Sequence, residues 1–399
     1  MLISLPTIYR LKRTMNEALK IALLTYSTKP RGGVIHTMEL AEALHRLGHQ
    51  VCIFALDKDG QGLCRPVACE YRLIPTQPAP TDIDRVVQQR IQEYVDYFTQ
   101  RPLDYDIIHA QDCISANALA LLRNRITIPN IVRTVHHVDD YQSAYLEDCQ
   151  AKGVLQPNLC LCVSQHWQQE IKQQYGVNAL QVFNGVDNQR FSSDMNGAET
   201  ALKEKLGFKG FPRFLTIGGV EPRKNSIRLL QAFAGVLAHQ PAAQLAIAGG
   251  ISLFNYDAYR HDFFTEAKRL GIEVGRSLLL TGPLPDPDMP TLYRTAHAFV
   301  FPSVVEGWGL VVMEAIASGL PVITSDRPPF TEFLSNQQAL LIDPLQPEAL
   351  TQAMLKIIQP AIAQPLIQAS QLVCQQYTWE NSAKMHLKYY RNLLEESQI

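Results

Sequence analysis

The chain has no run of about 18 apolar residues, so no segment of it reads as a membrane-spanning helix. It has almost no excess charge of either sign: 36 Lys and Arg stand against 38 Asp and Glu, a formal net charge of −2. That excludes a global basic field of the kind that draws in nucleic acid, and no nucleic-acid partner is expected. The G-x-G-x-x-G fingerprint is absent, which argues against a nicotinamide enzyme. No repeat with a period of about 20–50 residues is present, which excludes a solenoid or a propeller. The eight cysteines are scattered. Even Cys160 and Cys162, which would share one face of a strand, have no further Cys or His at ligand spacing. Structural thiols, a cytoplasmic location and no metal are therefore expected. Residues 1–20 have neither a long apolar segment nor a small-residue cleavage site, and are not read as a secretory signal. Residues 1–19 are taken as a frayed extension. The alternative is a short membrane-surface helix carrying Arg10, Lys12 and Arg13, with weak peripheral membrane contact.

What is present is the composition of an ordinary globular protein, 46% hydrophobic and 19% charged over 399 residues. One hydrophobic core does not keep growing to that size, so two domains are expected. Short apolar runs at 20–26, 50–56, 105–110, 130–135, 159–164 and 179–183 read as buried parallel strands with helices between them. The first helix follows Pro30-Arg31-Gly32-Gly33 and closes at Gly48. Residues 188–210 are polar, without strand character, and read as a linker. A second series of strands follows at 213–218, 244–248, 277–281, 298–301 and 321–324, and residues 379–395 carry apolar side chains at helical spacing. The expectation is an α/β protein of two Rossmann-like sheets, 20–190 and 191–376, followed by a C-terminal helix over 377–399. Ligands in such sheets sit at the carboxyl ends of the strands, which here means an interdomain cleft.

The stretch that carries chemistry is Phe301-Pro302-Ser303-Val304-Val305-Glu306-Gly307-Trp308-Gly309-Leu310-Val311-Val312-Met313-Glu314-Ala315. It is a strand end, a glycine-rich loop, and a helix beginning near Gly309. Glycines let backbone amides approach a ligand, and the free amides of a new helix suit a diphosphate. The segment Gly307, Trp308, Gly309, Leu310 is therefore expected against the ligand. Glu306 can reach toward whatever the diphosphate carries. Glu314 stands in an otherwise apolar helix, where a carboxylate is costly unless paired or functional.

Glu306 and Glu314 have E-x7-E spacing, and the run from Glu306-Gly-Trp-Gly-Leu through Glu314-Ala to Gly319-Leu320-Pro321-Val322-Ile323 resembles the retaining GT-B glycosyltransferases of family 4 (glycosyl transferases group 1). The resemblance covers nearly all of residues 20–395. It implies two facing Rossmann-like domains. It also implies metal-independent, retaining transfer of a hexose from a nucleotide diphosphate sugar, a co-substrate with no further cofactor, to an unidentified hydroxyl acceptor. Glu306 would face the donor sugar hydroxyls and Glu314 would bind the ribose. The stretch 218–225 is similar to the family's donor-phosphate loop, with Lys224 on the lysine that neutralises the leaving diphosphate. Gly219 stands where the family commonly has an arginine, and Arg223 is the candidate substitute. Gly33 falls on a glycine loop whose amide meets the diphosphate from the opposite domain. His136 matches a histidine near acceptor and donor sugar, with His137 its competitor. Gly282 and Pro283 resemble the segment that borders the nucleobase. Gly185, in Asn184-Gly185-Val186-Asp187, is read as supplying a turn conformation. The implied catalytic set is Glu306, His136 and Lys224. The competing readings are a sugar-nucleotide epimerase of similar fold and a catalytically inactive sugar-nucleotide-binding protein.

Overall fold

The computed structural model describes residues 17–101, 103–250 and 256–396. The expected frayed extension falls outside these residues up to residue 16, and so does its alternative, a surface helix carrying Arg10, Lys12 and Arg13.

The first half alternates strand and helix: β1 (Lys20–Thr25), α1 (Gly32–Arg46), β2 (Gln50–Asp57), β3 (Glu70–Pro75), α2 (Ile83–Thr99), β4 (Ile107–Ala110), α3 (Cys113–Arg123), β5 (Asn130–Val135), α4 (Ala144–Leu155), β6 (Leu159–Cys162), α5 (Gln165–Tyr175) and β7 (Leu180–Gln181). The strands form one parallel seven-stranded sheet in the order β3-β2-β1-β4-β5-β6-β7. Both of its faces are covered, which is why β1 reads as an unbroken apolar run. Ile21 and Leu23 join a core with α1, and Ala22 and Leu24 join another with α2 and α3. Asp112, Ser143 and Ser164 cap α3, α4 and α5, each accepting a hydrogen bond from an amide in the helix's first turn.

The connecting segment contains α6 (Glu199–Leu206), where the polar composition had suggested only a linker. Its Glu199 pairs with Arg294 at 2.7 Å, which fastens the helix to the second half. There follow β8 (Arg213–Ile217), α7 (Ser226–His239), β9 (Gln244–Ala248), α8 (Asp257–Arg269), β10 (Leu278–Gly282), α9 (Met289–Thr295), β11 (Ala298–Phe301), α10 (Leu310–Ala317), β12 (Val322–Ser325), β13 (Leu340–Ile342), α11 (Pro347–Ile357), α12 (Pro360–Gln376) and α13 (Trp379–Glu396). The second sheet is parallel and six-stranded, in the order β10-β9-β8-β11-β12-β13. The strand order turns back between β1 and β4 in one sheet and between β8 and β11 in the other. Crevices that take ligands form at such points.

The chain crosses between the halves twice, and the crossings lie side by side: the Val186 amide donates to the Tyr377 carbonyl at 3.0 Å. Gly185 owes its identity to this contact. Its φ is not in the left-handed region, so the expected turn role is wrong; a β-carbon there would collide with the backbone of Thr378 and Trp379. After the second crossing, α13 packs on α1 and puts Trp379, Ala383, Leu387, Tyr390 and Leu393 into the core that contains Ile21 and Leu23.

Candidate active site

The glycine-rich loop after β11 is anchored by its own acid. Glu306 is buried, and its Oε1 accepts hydrogen bonds from Lys224 Nζ at 2.6 Å and Ser303 Oγ at 2.6 Å, with Arg223 Nη1 2.8 Å away. Its Oε2 has no hydrogen-bond partner among the described residues. Burial alone would raise this carboxyl, but Arg223 and Lys224 more than offset it and hold the value down at about 2. One carboxylate serves two cations, so burial still lowers Lys224 despite the pairing. Cations just before α7 oppose its dipole, and Glu306 relieves that conflict. Lys224 Nζ also lies 4.5 Å from the Phe301 ring centroid, and its stem fills the space above Gly218.

Gly309 carries φ +97 and starts α10. A β-carbon there would run into Phe330, so this glycine is required on both counts. Trp308 turns its indole into the interior, stacked on Phe333 with centroids 4.8 Å apart; only its backbone remains for a ligand. Glu314 follows in the second turn of α10. It accepts a 2.6 Å hydrogen bond from Tyr293 Oη, and burial pushes its carboxyl up to about 7, against the partial opposition of that bond and of Arg190.

The first half meets this loop directly. His136, at the end of β5, lies beside Gly33, and its carbonyl occupies the place a side chain on Gly307 would need. The His136 ring sits edge-on to His36, with centroids 4.7 Å apart, and its Nε2 is buried without a partner. Burial first, then the neighbouring His36 and Arg133, holds His136 well below its ordinary value, so the imidazole is neutral. His137 is exposed and lies 3.1 Å from Asp139. Trp167 Nε1 donates to the Glu306 carbonyl at 2.9 Å, and Glu332, from the second half, accepts the Gln165 and His166 amides of α5 at 2.8 and 2.9 Å.

Thus Glu306, Lys224, Arg223, Gly307, His136 and Gly33 come together. Gly282 and Pro283 lie apart from them, in a cavity of about 480 Å3 that Gly219, Gly250, Tyr256 and Arg260 also line; neither glutamate lines it. Gly219 has φ +76 and packs against the Gly250 carbonyl, so an arginine does not fit at this position. Sequence reasoning missed the Gly249-Gly250 turn, although it ends β9 just as Gly218-Gly219 ends β8. It missed His36, Trp167, Tyr293 and Glu332, which no local pattern marks. It also passed over Asp57 and Asp59, spaced as an Asp-x-Asp pair at the end of β2. Asp59 pairs with Lys29 and Asp57 accepts from the Gly60 amide, and no group of three or more metal-ligating side chains occurs among the described residues.

Two parallel sheets with facing loops at their carboxyl ends are the architecture of the GT-B fold. The profile described as Glyco_transf_4, Glycosyltransferase Family 4, matches residues 30–190, and that described as Glycosyl transferases group 1 matches residues 198–368. The chain belongs to this family. The O-antigen chain mannosyltransferase B of Escherichia coli is 32% identical over 197 residues, 48% of each chain, so the match spans about half of that relative. The D-inositol 3-phosphate glycosyltransferase of Corynebacterium glutamicum is 25% identical over 77% of this chain and 80% of its own. Among solved structures, HepE of Anabaena in complex with UDP-glucose superposes with a TM-score of 0.76 at 18% identity, covering 94% of this chain and 100% of that one. No helix among the described residues is long and apolar enough to cross a membrane.

Proposed function

We propose that the protein transfers a hexose from a nucleotide diphosphate sugar to a hydroxyl acceptor with retention of configuration and without a divalent metal. The observation that carries this reading is the arrangement at Glu306. One carboxylate oxygen gathers Lys224, Arg223 and Ser303, and the other is left over to accept hydroxyl hydrogen bonds, across from His136. As the glycosidic bond breaks, negative charge grows on the diphosphate. Lys224, Arg223 and the first amides of α10 offer fixed positive charge there. Among the described residues the glutamate at the site, Glu306, is already committed to Lys224, Arg223 and Ser303 rather than held as a nucleophile; in this reading the acceptor attacks from the face the diphosphate leaves, and the leaving phosphate takes its proton. The neutral His136 orients hydroxyls rather than supplying charge. Arg223 does the work of the arginine that Gly219 excludes. The complex of HepE with UDP-glucose supports a nucleotide sugar as the donor class.

The test is thermal denaturation with UDP, GDP, ADP, CDP and their sugar conjugates. A ligand at about a hundred times its Kd adds about 2.7 kcal/mol. One nucleotide should stabilise the wild type and fail to stabilise Glu314→Ala and Lys224→Ala; no shift with any of them would sink the donor site. NMR of the product should show the donor's anomeric configuration, and turnover should survive EDTA. An inverted product, or loss of turnover in EDTA, would overturn that part of the proposal.

A further inference from the structure

The turn that carries Lys224 ends in a residue that does not behave as its position suggests. Asn225 immediately precedes α7, where an asparagine ordinarily has an extended backbone and accepts a hydrogen bond from an amide of the first turn. It does neither. Its backbone is left-handed, φ 60 and ψ 34, and its side chain caps nothing. It is the only non-glycine residue at positive φ among the described residues. The side-chain amide is buried and reaches backbone far away in sequence instead. Nδ2 donates to the Pro302 carbonyl at 3.2 Å and to the Pro344 carbonyl at 2.5 Å, and Oδ1 accepts from Arg228 Nη1 at 3.2 Å. Pro302 follows β11 and Pro344 follows β13, and β12 lies between these strands. One side chain therefore ties two loops together across the end of a third strand. The residue before Lys224 is tied as well: the Arg223 carbonyl accepts from the Val304 amide at 2.9 Å. Lys224 is thus held from both sides against the loop that carries Glu306, with its Nζ 2.6 Å from Glu306 Oε1.

We propose that Asn225 is a positioning residue for the reaction: its amide, bridging the ends of β11 and β13, sets where the Lys224 ammonium lies. The proposal rests on the transferase reading for the role of Lys224. Asparagine suits both halves of the task. It enters the left-handed region more readily than most residues that have a β-carbon. Its amide nitrogen has two hydrogens for two carbonyls, while its oxygen is left for Arg228. Glycine can make the turn but has no side chain to form the bridge. Aspartate has the size and shape, but it has no donor and sets a carboxylate against two carbonyl oxygens. Placement matters because a group that meets charge in the transition state loses up to about a hundredfold in rate when misplaced by about 1 Å. Asn225 is buried, so it acts on the reaction through its neighbour.

The experiment compares the full chain with Asn225→Gly, which keeps the turn and deletes the bridge, and with Asn225→Asp, which keeps the shape and removes both donors. Asn225→Gly is also made in the Lys224→Met background. Initial rates are measured with whichever nucleotide sugar turns over, and Asn225→Gly is crystallised. Asn225→Gly should lower kcat about tenfold and move the donor KM less than about twofold, because the contact it weakens is made in the transition state. Asn225→Asp should lose at least as much. In the Lys224→Met background, Asn225→Gly should change kcat less than about twofold, since a residue that acts through Lys224 has nothing left to place. In the crystal, Lys224 Nζ should have left Glu306 Oε1. A residue that only supported the fold would lower the melting temperature and leave the rates measured well below it unchanged. Each of three results would overturn the proposal: a kcat within about twofold of wild type in either variant, the same loss in both backgrounds, or a lysine still within about 3.2 Å of Glu306. If wild type turns over no nucleotide sugar, the transferase reading fails, and the crystal structure alone decides whether Asn225 places the lysine.

Discussion

Around Glu306 the protein gathers cations against the carboxylate itself; around Glu314, eight residues further on, burial dominates, with one phenol bonded to it and Arg190, Asp286 and Glu39 acting from further off. The two carboxylates belong to one loop and helix, yet their environments drive them in opposite directions. Arg223 and Lys224 hold Glu306 near 2 in spite of burial, and burial carries Glu314 to about 7 in spite of Tyr293. Glu306 is therefore a fixed negative charge over the whole working range. Glu314 changes its proton occupancy near neutrality. A spacing read from sequence says that two acids are present; the partners supplied by distant segments decide what each of them is.

The largest expected effect comes from removing the charged side of the contrast. Glu306→Gln and Lys224→Met should each lower kcat by about 10²–10³, the range seen when a preorganised transition-state contact is lost, measured by initial rates with the identified donor. Lys224→Met should also cost about 3 kcal/mol of stability by stranding buried Glu306 charge on Arg223 alone. Next is the pH dependence of unfolding. The Glu306 carboxyl is lower in the folded chain than its ordinary 4.5, so its contribution is present above about pH 4.5 and is lost as pH falls toward 2. The Glu314 carboxyl is higher in the folded chain, so stability is greatest below about pH 4.5 and declines as pH rises through 7. At about 1.4 kcal/mol per unit, each limb amounts to a few kcal/mol. Denaturant titrations across pH should lose the acid limb in Glu306→Gln and the neutral limb in Glu314→Gln; a limb that persists refutes its assignment.

A smaller effect tests the role given to Arg223. Gly219→Arg puts back the arginine usual in the family but must strain a φ of +76 and push on the Gly250 carbonyl. It should destabilise by about 1–3 kcal/mol and raise no turnover; a gain in kcat would show that Arg223 does not substitute. The smallest is Tyr293→Phe, which deletes the hydrogen bond to Glu314 and should cost about 1 kcal/mol while shifting the neutral limb to higher pH.

Much of this architecture is legible in the sequence because buried parallel strands are continuous apolar runs. The expected strands at 130–135 and 298–301 coincide with β5 and β11. β3 escaped because Glu70–Pro75 is an edge strand with mostly exposed residues, and so carries no such run. α2 has a clear stripe, Val87, Ile91, Tyr94, Val95 and Phe98, that was simply passed over. α4 buries only Leu146, Cys149, Gly153 and Val154, too sparse a stripe to stand out. At the site, glycines and carboxylates beside strand ends announce themselves. Tyr293 and Glu332 do not, because their meaning comes from segments that lie far off in sequence.

Helix α13 makes the first sheet depend on the far end of the chain. That sheet is made early, but one of its faces lacks the aromatic and aliphatic side chains of residues 379–393 until they have been synthesised. At roughly 5–20 residues per second, about 200 further residues keep that face waiting ten seconds or more after β7 has left the ribosome. Even His109, at the centre of the sheet, finds its Tyr390 partner, 2.6 Å away, only then. The first sheet is thus made before the second and completed after it, and during synthesis it presents an open apolar surface that the cell has to guard.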